Sequence, residues 1–506
     1  MNRWLNIGSV ALYILLLVIV TSALFFERDF SEFWQRILGG TTSIDRTLTI
    51  GYSESLVRLH PLANDTASRA RLLQVYEPLV RVTPDLSIEP ALAISYGALN
   101  DHTWEFRLRP RVVMHDGSTL TIDDVLLSFQ EARFNTTSQL RDLTSSIEKI
   151  EKISDELLHI TTVKTDPLLP QKIASILIYK TAANAQNATG TGPYIISNST
   201  EKELVLTRFE NYWDILPTYK NVRLVTLTTR DEKIAALKEA TVDLLAYIPA
   251  DIGFDFDYAD YRLKELPSLE VNFLLFNFKS VFSDKNLRSA VLYAIDPAIM
   301  GRLGHGFTTV ADQFVANGIF GFNPLLSFKR PDLEKAKSFA DKAGVPVTNY
   351  KPITLDIPQG LELVGKTITK QLSDIGLQVS VNSISSAKLS TKIVQQPADM
   401  FFFGWRSDVG DASDFLAAVA HSRSGQFGQY NGIGYTNSLV DLLIEESAST
   451  LQSNLRLQKL REALKIITSD DVIGVPLFSP DVLYAVSQNI RWQPRVDGYV
   501  LAQEVR

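Results

Sequence analysis

The chain begins with an almost unbroken hydrophobic segment at residues 5–26. As a helix this segment would be about 33 Å long, which is enough to cross the hydrocarbon core of a bilayer. Arg3 precedes it, and this small positive bias orients the N-terminus toward the cytoplasm. A cleaved signal peptide is the alternative, but the segment exceeds an ordinary signal-peptide core and no small-residue cleavage site follows. We therefore expect an uncleaved transmembrane anchor at 5–26, with residues 1–4 in the cytoplasm and a juxtamembrane linker at 27–46.

Beyond residue 46, hydrophobic residues recur with a period of two in some segments and near 3.6 in others, which predicts alternating strands and helices. The segment Trp104-Glu-Phe-Arg-Leu-Arg109 alternates in this way and predicts a strand with one buried face. Thr121, followed by acids and an apolar face, predicts a helix N-cap. Residues 353–357, 361–375 and 377–381 predict a strand, a helix and a strand. The pattern is that of an α/β protein, and 506 residues are too many for one domain.

The second half of the chain opens with a strongly apolar strand at residues 271–278, which we expect to begin a new domain. Ser283 is predicted to cap the following helix. Near the C-terminus, residues 475–478 and 482–486 predict two further strands.

The most informative stretch runs from Asp399 to Phe415. Its apolar start, residues 400–403, predicts a buried strand that Gly404 ends. Trp405 and Arg406 come next, and three acids follow at intervals of three: Asp408, Asp411 and Asp414. An aromatic side chain and a carboxylate just past a buried strand are placed to line a cleft, where they can hold a ligand ammonium and cover an apolar ligand body. The alternative is that Trp405 belongs to the core and the acids cap the next helix or face water.

The amino-acid composition argues against several classes of function. The net charge of −7 and the lack of a basic tract argue against a nucleic-acid partner. The chain has no cysteine, which excludes disulfides, thiolate metal sites, Cys nucleophiles and a lipid-modified N-terminal Cys. Its six histidines form no HxxxH or HExxH pattern, so we expect no metal site and no cofactor.

Two short motifs have a catalytic or phosphate-binding alternative. His115 beside Asp116 invites a catalytic interpretation, but an Asp-Gly pair favours a turn. Gly190-Thr-Gly-Pro193 lacks the Lys-Ser/Thr of a phosphate-binding loop and predicts a turn before a strand at Tyr194. The sequence also lacks a GxSxG elbow and a plausible set of His partners, so we expect no catalytic residues. A hydrolase that uses paired acids among Asp408, Asp411 and Asp414 stays as a distant alternative.

Several segments together resemble one family, the extracytoplasmic solute-binding proteins of ABC importers, in its oligopeptide/dipeptide-binding branch (family 5). No single motif is specific, but their order and spacing from about residue 47 to 499 match that family. The segments are Tyr76-Glu-Pro-Leu-Val80, Pro84-Asp85, Pro90-Ala-Leu-Ala93, Trp104-Glu-Phe-Arg-Leu-Arg109, His115-Asp-Gly-Ser118, Asp123-Asp-Val125, Gly190-Thr-Gly-Pro-Tyr194, Asn211-Tyr-Trp213, Val242-Asp243, Leu287-Arg-Ser-Ala290, Ala294-Ile-Asp296, Gly404-Trp405 and Tyr430-Asn431.

The resemblance implies a fold of two α/β lobes joined by crossover strands, of the periplasmic-binding-protein type. Lobe I would cover residues 47–266, with an extra subdomain at about 67–185. Lobe II would cover residues 267–475, and residues 476–506 would return to lobe I. The ligand would lie between the lobes, which close over it.

The resemblance also implies a ligand site. In peptide-binding relatives an Asp shortly after the Gly-Trp motif receives the peptide ammonium, and Asp408 stands at that position. An enclosed ammonium needs such a partner, because an unpaired buried charge is costly. The predicted ligand-binding residues are Gly404, Trp405, Arg406, Ser407, Asp408, Tyr430 and Asn431.

The sequence departs from the family pattern in two ways. The anchor is a helix and not a lipidated Cys. The Arg that binds the ligand anion in dipeptide-binding relatives, in the helix after the strand at residues 353–357, is absent here, and residues 361–370 offer Lys366 and Lys370 instead. This departure puts recognition of a free peptide C-terminus in doubt.

The function implied is that of a monomeric, membrane-anchored binding protein on the extracytoplasmic side. It would capture short peptides and deliver them to ABC permease subunits, with no chemistry of its own. A surface sensor or chaperone-like protein of the same fold is the alternative from another class.

Overall fold

The computed structural model describes residues 45–55, 58–180, 189–303, 306–345, 351–407 and 409–506. The anchor predicted at 5–26, most of the linker and Asp408 lie outside these ranges. None of the helices within the described ranges is both long and apolar enough to span a bilayer.

The strands and helices follow one another along the whole described chain, as the alternating pattern predicts. In chain order the strands are β1 Leu48–Tyr52, β2 Glu77–Pro78, β3 Val80–Val82, β4 Ile88–Pro90, β5 Ala93–Ala98, β6 Thr103–Leu108, β7 Ile147–Lys152, β8 Leu157–Thr162, β9 Leu177–Ile178, β10 Tyr194–Ser199, β11 Glu203–Arg208, β12 Asn221–Thr226, β13 Leu244–Ala246, β14 Tyr261–Pro267, β15 Glu270–Phe276, β16 Thr308–Val310, β17 Ile353–Pro358, β18 Val379–Ile384, β19 Met400–Arg406 and β20 Gly474–Ser487. The helices are α1 Thr66–Leu72, α2 Ile122–Phe134, α3 Leu169–Ile173, α4 Arg230–Lys238, α5 Ala250–Phe254, α6 Lys285–Ala294, α7 Pro297–Leu303, α8 Leu333–Lys342, α9 Glu362–Ser373, α10 Ser386–Gln395, α11 Ala412–Phe415, α12 Ser438–Ala448 and α13 Ser453–Lys465.

Three local predictions are wrong. Asp284, not Ser283, caps α6, because its carboxylate accepts from the N–H groups of Asn286 and Leu287. The strand β19 does not end at Gly404 but continues to Arg406, paired with β15. The two strands predicted near the C-terminus are one continuous strand, β20.

The long strand β20 connects the two lobes. Its second half pairs with β13 and β14 in the first lobe, and its first half pairs with β15 in the second. One hydrogen-bonded path therefore runs β10-β11-β12-β1-β13-β20-β15-β19-β17-β18 through both lobes. The chain crosses a second time between β14 and β15, at residues 267–270. These two crossovers form the hinge of a two-lobed periplasmic-binding-protein fold, which confirms the predicted fold class.

The central strands of the second lobe are buried on both faces. Along β15, Val271, Phe273 and Leu275 pack into one apolar core, whereas Leu274 and Phe276 pack into another on the opposite side. Because side chains of a strand alternate between faces, a sheet covered on both sides needs apolar residues at every position. This requirement explains the apolar runs at residues 273–276 of β15 and 400–403 of the neighbouring β19.

The segment between β1 and β10 adds a second body to the first lobe. Its main sheet has the order β5-β6-β8-β7, and α2 packs beside it. A capping box formed by Thr121 and Asp124 begins α2, as its sequence predicts.

A buried carboxylate, Glu77 on β2, connects several of the family segments. It accepts hydrogen bonds from the Thr191 hydroxyl (2.9 Å), the Tyr212 hydroxyl (2.8 Å) and the Trp213 indole N–H (2.9 Å). Burial raises the pKa of Glu77, and the three hydrogen bonds oppose this shift. The segments around residues 76–80, 190–194 and 211–213 therefore meet at one group, which holds β2 against the loops that follow it.

The two motifs with a catalytic or phosphate-binding alternative pack against the same region. The Nε2 atom of the His115 ring lies 2.9 Å from the carbonyl oxygen of Gly192, and the backbone N–H of His115 donates to the carbonyl of Gly190. A Cβ atom at Gly190 would lie 2.2 Å from the carbonyl oxygen of Val75, so only glycine fits there. Both motifs are structural turns, as predicted.

Replacing Glu77 by Gln tests this connection. The Gln side chain has one acceptor oxygen where the Glu77 carboxylate has two. Its NH₂ group would face the hydroxyls of Thr191 and Tyr212 or the indole N–H of Trp213, which now donate to the carboxylate. We expect the free energy of unfolding to fall by about 2–4 kcal/mol, as for a buried charged hydrogen-bond network left partly unsatisfied. Urea unfolding followed by circular dichroism measures the change.

The matched control is Glu89→Gln, which removes a half-exposed carboxylate that pairs with Arg81. Surface pairs of this kind contribute about 0–1 kcal/mol. Equal effects of the two substitutions would contradict the central role of Glu77.

Candidate ligand-binding site

A cavity of about 770 Å³ lies where the lobes face each other. This volume is within the range of about 300–1,000 Å³ that small-molecule sites occupy. The second lobe contributes Leu269 and the turn after β19, with Arg406, Ser407, Val409 and Gly410. The first lobe contributes residues from the β2–β4 region, from α3 and from the C-terminal segment 491–506.

The predicted site residues divide into two groups. Arg406 and Ser407 line the cavity, and Asp408, which lies outside the described residues, stands between Ser407 and Val409 in the sequence. Among the described residues, the cavity lining does not include Gly404, Trp405, Tyr430 or Asn431.

Trp405 and Tyr430 lie behind the turn, in contact with each other. Their ring centroids are 5.9 Å apart, and Trp405 also contacts Phe415 and Phe403. Tyr430 keeps 40% of its surface exposed. The two aromatic residues therefore join the core of the second lobe to its surface beside the turn.

Asn431 holds its own loop together. It is 4% exposed, and its amide donates to the carbonyls of His421 and Tyr435 and accepts from the N–H of Tyr435. These contacts use both N–H groups and the oxygen of the side chain within the loop.

Gly404 permits a close approach between β19 and β15. A Cβ atom at this position would lie 2.9 Å from Asn272 Oδ1 and 3.0 Å from Glu270 Oε1. The absence of a side chain thus admits two polar side chains from β15 next to the cavity-lining turn.

Two acids of the stretch have defined partners. Asp411 caps α11 by accepting from the N–H of Ser413, and it also forms a buried bidentate ion pair with Arg456 of α13, with one N···O distance of 2.8 Å. Asp414 accepts from the Ser407 hydroxyl at 2.6 Å and from the Trp405 indole N–H at 3.2 Å. The helix-cap alternative therefore holds for Asp411, and neither acid is simply solvated.

Arg406 reaches from the second lobe to the first. It is exposed, and its guanidinium donates to the carbonyl of Asp497 at 3.1 Å. Next to this contact, Leu86 and Val496 of the first lobe pack against the apolar core of the second lobe. Gly410 lies against Leu86, because a Cβ atom there would be 3.3 Å from its Cδ1. The lobes are thus in direct contact along one margin of the cavity.

The charges on the first-lobe wall are largely paired with one another. Arg495 bonds Asp497 at 2.6 Å and Glu504 at 2.7 Å, and Arg81 bonds Glu89 at 2.6 Å. Burial alone lowers the pKa of Arg495, but the two carboxylates outweigh burial and raise that pKa above its ordinary value. The wall is polar without a dominant charge.

Three cavity-lining residues carry a buried polar atom that has no hydrogen-bond partner among the described residues. They are Gln171 through Oε1, Trp492 through Nε1 and Gln503 through Oε1. Buried polar atoms are normally paired, so these three atoms are exceptions within the described residues.

Sequence reasoning missed the C-terminal wall and the ion pair of Asp411. Residues 491–506 have no regular periodicity, and Arg456 follows Asp411 by 45 positions. The one sequence feature that points to this ion pair is the position of Arg456, one turn into a helix, on a face whose other residues are apolar. Glu77 had a clearer signal, an acid inside the apolar segment Tyr76-Glu-Pro-Leu-Val80.

The ion pair between Asp411 and Arg456 yields a second prediction. Arg456→Met leaves a buried carboxylate without its counter-ion, and we expect a loss of about 3–5 kcal/mol in the free energy of unfolding. The double variant Arg456→Met with Asp411→Asn recovers part of the loss, because no buried charge remains. Chemical denaturation of the three proteins measures both effects.

Lys465→Met on the same helix is the control. Its partner Asp470 is about half exposed, so its removal changes stability by about 1 kcal/mol or less. A double variant no more stable than Arg456→Met would contradict the buried-charge explanation.

The chain is similar over most of its length to known solute-binding proteins. It is 22% identical to the nickel-binding protein NikA of Staphylococcus aureus, over 84% of this chain and 87% of the relative. It superposes on the periplasmic murein tripeptide-binding protein MppA, in its unliganded open form, with a TM-score of 0.83, 16% identity and coverage of 92% and 98% of the two chains. For the oligopeptide-binding protein AppA of Bacillus subtilis in complex with a nonapeptide, the TM-score is 0.67, with 18% identity and 92% and 99% coverage.

The model of bacterial extracellular solute-binding proteins, family 5 (middle), matches residues 87–427, which is more than half of the chain. Proteins of this family are the extracytoplasmic binding components of ABC importers and are not enzymes. The expectation that the chain has no catalytic function is therefore confirmed, as is the resemblance noted from its motifs. The chain belongs to family 5 of the bacterial extracellular solute-binding proteins.

Proposed function

We propose that this protein captures short peptides in the cavity between its lobes and delivers them to an ABC permease. The observation that carries the proposal is the position of the turn after β19. Arg406, Ser407, Val409 and Gly410 form the second-lobe wall of a cavity large enough for a small ligand, and Asp408 stands between Ser407 and Val409 in the sequence. A carboxylate at such a wall suits a peptide ammonium.

The first-lobe wall suits the main chain of a peptide. Gln171, Gln503 and Trp492 line this wall, and their side chains are of the donor and acceptor types that a peptide main chain pairs with. The wall charges are paired internally, so they do not select one ligand charge. Recognition through main-chain groups leaves ligand side chains loosely specified.

The similar proteins support the same ligand class. MppA is described as binding a murein tripeptide, and AppA is described in complex with a nonapeptide.

Nickel is a second candidate ligand, because NikA is described as nickel-binding. Within the described ranges, no group of three or more His, Cys, Asp or Glu side chains is placed to hold a metal ion. Nickel bound to the purified protein is therefore a distinct outcome of the mass-spectrometry experiment.

The N-terminal segment at 5–26 completes the proposal. An uncleaved helix there would tether the monomeric binding protein at the outer face of the membrane. Tethering raises the concentration of the loaded protein near the permease without any new contact. A surface sensor or chaperone-like role is the alternative, and ligand transfer to a permease distinguishes the two.

The test uses full-length protein purified in detergent from its native cells. Native mass spectrometry identifies small molecules that co-purify. We expect a set of short peptides, and we expect Asp408→Ala to lose them, because an enclosed ammonium without its carboxylate costs several kcal/mol. Asp101→Ala, which removes an exposed acid far along the chain from the site, is the matched control and should retain them.

Two results would overturn the peptide assignment. One is a single non-peptide solute or nickel in place of peptides. The other is the absence of thermal stabilisation by a peptide library at high ligand excess, since a ligand at a hundred times its Kd stabilises by about 2.7 kcal/mol.

A further inference from the structure

Two apolar contacts cross between the lobes beside the hinge strand β20, and each lobe supplies the side chains of one of them. Leu86 and Val496 of the first lobe pack against an apolar core of the second lobe. Phe307 of the second lobe, which immediately precedes β16, packs against an apolar core of the first lobe. The two contacts are therefore reciprocal.

The contacts lie on opposite faces of β20. Side chains alternate between the two faces of a strand. Leu483 of β20 belongs to the core that Phe307 contacts, whereas the next residue, Tyr484, belongs to the core on the opposite face. The hydroxyl of Tyr484 donates to the carbonyl of Gly498 at 3.4 Å, two residues after Val496. Val496 therefore lies on the Tyr484 side of the strand and Phe307 on the Leu483 side.

The cavity is on the Tyr484 side of β20. Leu86 lines it, and so does Trp492, which belongs to the same core as Tyr484. Among the described residues, the cavity lining includes neither Phe307 nor any member of the core that Phe307 contacts. Leu86 and Val496 thus form an inner contact on the cavity side of the hinge strand, and Phe307 forms an outer contact on its far side.

The first lobe holds the side chains of the inner contact in a defined position. Leu86 has a φ of +67°, in the left-handed region that residues other than glycine rarely adopt. The carbonyl of Pro84 accepts from the N–H of Val496 at 3.0 Å, so the two segments are joined. Leu86 meets Gly410 of the second lobe, and a Cβ atom at Gly318 would lie 3.7 Å from Val496 Cγ1. An unfavourable backbone conformation at a contact between lobes points to a function for the side chain it directs.

The outer contact is fixed both to β20 and to the first lobe. The carbonyl of Phe307 accepts from the N–H of Asp481 at 3.1 Å, and the Thr309 hydroxyl donates to the Asp481 carboxylate at 3.2 Å. The ring packs against Gly253 of α5, where a Cβ atom would lie 3.0 Å from Phe307 Cε2. A change in the angle between the lobes therefore cannot leave this contact unaltered.

Bending β20 affects the two contacts in opposite ways, because they lie on its opposite faces. Closure of the cavity presses the inner contact together and separates the outer contact, and opening does the reverse. We propose that the inner and outer contacts are opposing stops that set the angle between the lobes, and that Leu86 and Phe307 are positioning residues that shift ligand affinity in opposite directions.

The effect on affinity follows from the population of the closed arrangement. Loss of the Phe307 ring favours closure, whereas loss of the Leu86 side chain favours opening. The apparent affinity for a ligand that needs both walls rises and falls with the closed fraction. This part of the proposal rests on the proposed function, because it requires a ligand between the lobes, but the effect on the angle does not.

The first experiment measures the angle between the lobes without a ligand. Because the chain has no cysteine, introduced cysteines carry spin labels at unique sites. One label pair is Asp101→Cys with Asp374→Cys, and a second is Glu201→Cys with Lys388→Cys. Each pair joins exposed positions of the two lobes. Double electron–electron resonance on the full-length protein in detergent gives both distances.

We expect Phe307→Ala and Leu86→Asn to shift the mean distances in opposite directions, and the double variant to broaden their distributions. Asn removes the apolar side chain of Leu86 but tolerates the left-handed conformation, so the turn should still form. The matched controls are Phe134→Ala, which removes a ring that is 66% exposed, and Arg111→Asn, which places Asn at another exposed left-handed position. Both controls should keep the wild-type distances.

The second experiment measures the Kd of tri-alanine by isothermal titration calorimetry. We expect Phe307→Ala to lower the Kd about three- to tenfold, because a closed arrangement that is a minor state becomes more populated. Leu86→Asn should raise the Kd, and the two controls should match the wild type. Damage to the fold would weaken binding in any variant, so tighter binding by Phe307→Ala has no such explanation. Leu86 also lines the cavity, so its Kd is interpreted together with the distances.

Distances that shift in the same direction, or that stay unchanged in either variant, would overturn the proposal. Tri-alanine binding that Phe307→Ala fails to strengthen would overturn it as well. If the distances shift as expected but tri-alanine does not bind, the opposing stops are supported and the peptide assignment of the proposed function is contradicted.

Discussion

The backbone hydrogen bonds of β20 constrain how the two lobes of this protein can move relative to each other. Because one strand pairs with β13 and β14 in the first lobe and with β15 in the second, neither lobe can move far without bending that strand or the adjacent 267–270 crossover. Hinged closure is the motion this connection allows. The cavity lies next to the hinge, so a small rotation changes the separation of its walls. Ligand contacts on both walls can therefore favour the closed arrangement.

Burying a charged group is unfavourable unless it is paired, and the charged groups on the two sides of the cavity are paired in different ways. On the first-lobe wall the charges neutralise one another, as in the group of Arg495, Asp497 and Glu504. Behind the second-lobe wall, Asp411 forms a buried ion pair with Arg456 of α13. Asp414 accepts hydrogen bonds from Ser407 and Trp405. The charges of the first-lobe wall therefore pair within that wall, whereas the acids next to the second-lobe turn pair with groups of the second lobe.

The sequence predicts those features that depend on local pattern. The apolar runs of β15 and β19 and the capping box of α2 are consequences of two-sided burial and of backbone groups at a helix start, and both are visible in a few adjacent residues. The continuation of β19 past Gly404 is not predictable in this way. It depends on backbone pairing with β15, in which Glu270 stands opposite Arg406 and Asn272 opposite Gly404, and β15 lies more than a hundred residues earlier in the chain. The pairing of Asp411 with Arg456 and the wall built from residues 491–506 likewise require knowledge of which distant segments meet.

In the candidate site, too, some features follow from local sequence and others depend on contacts with distant segments. Its turn is identified by a short motif, so Arg406 and Ser407 are found from the sequence, and both line the cavity. Trp405 fits neither simple alternative, since it packs with Phe403 and Phe415 yet also bonds Asp414 beside the turn. A residue that packs in the core and also bonds a side chain held by the cavity-lining Ser407 ties the position of the turn to the packing of the second lobe.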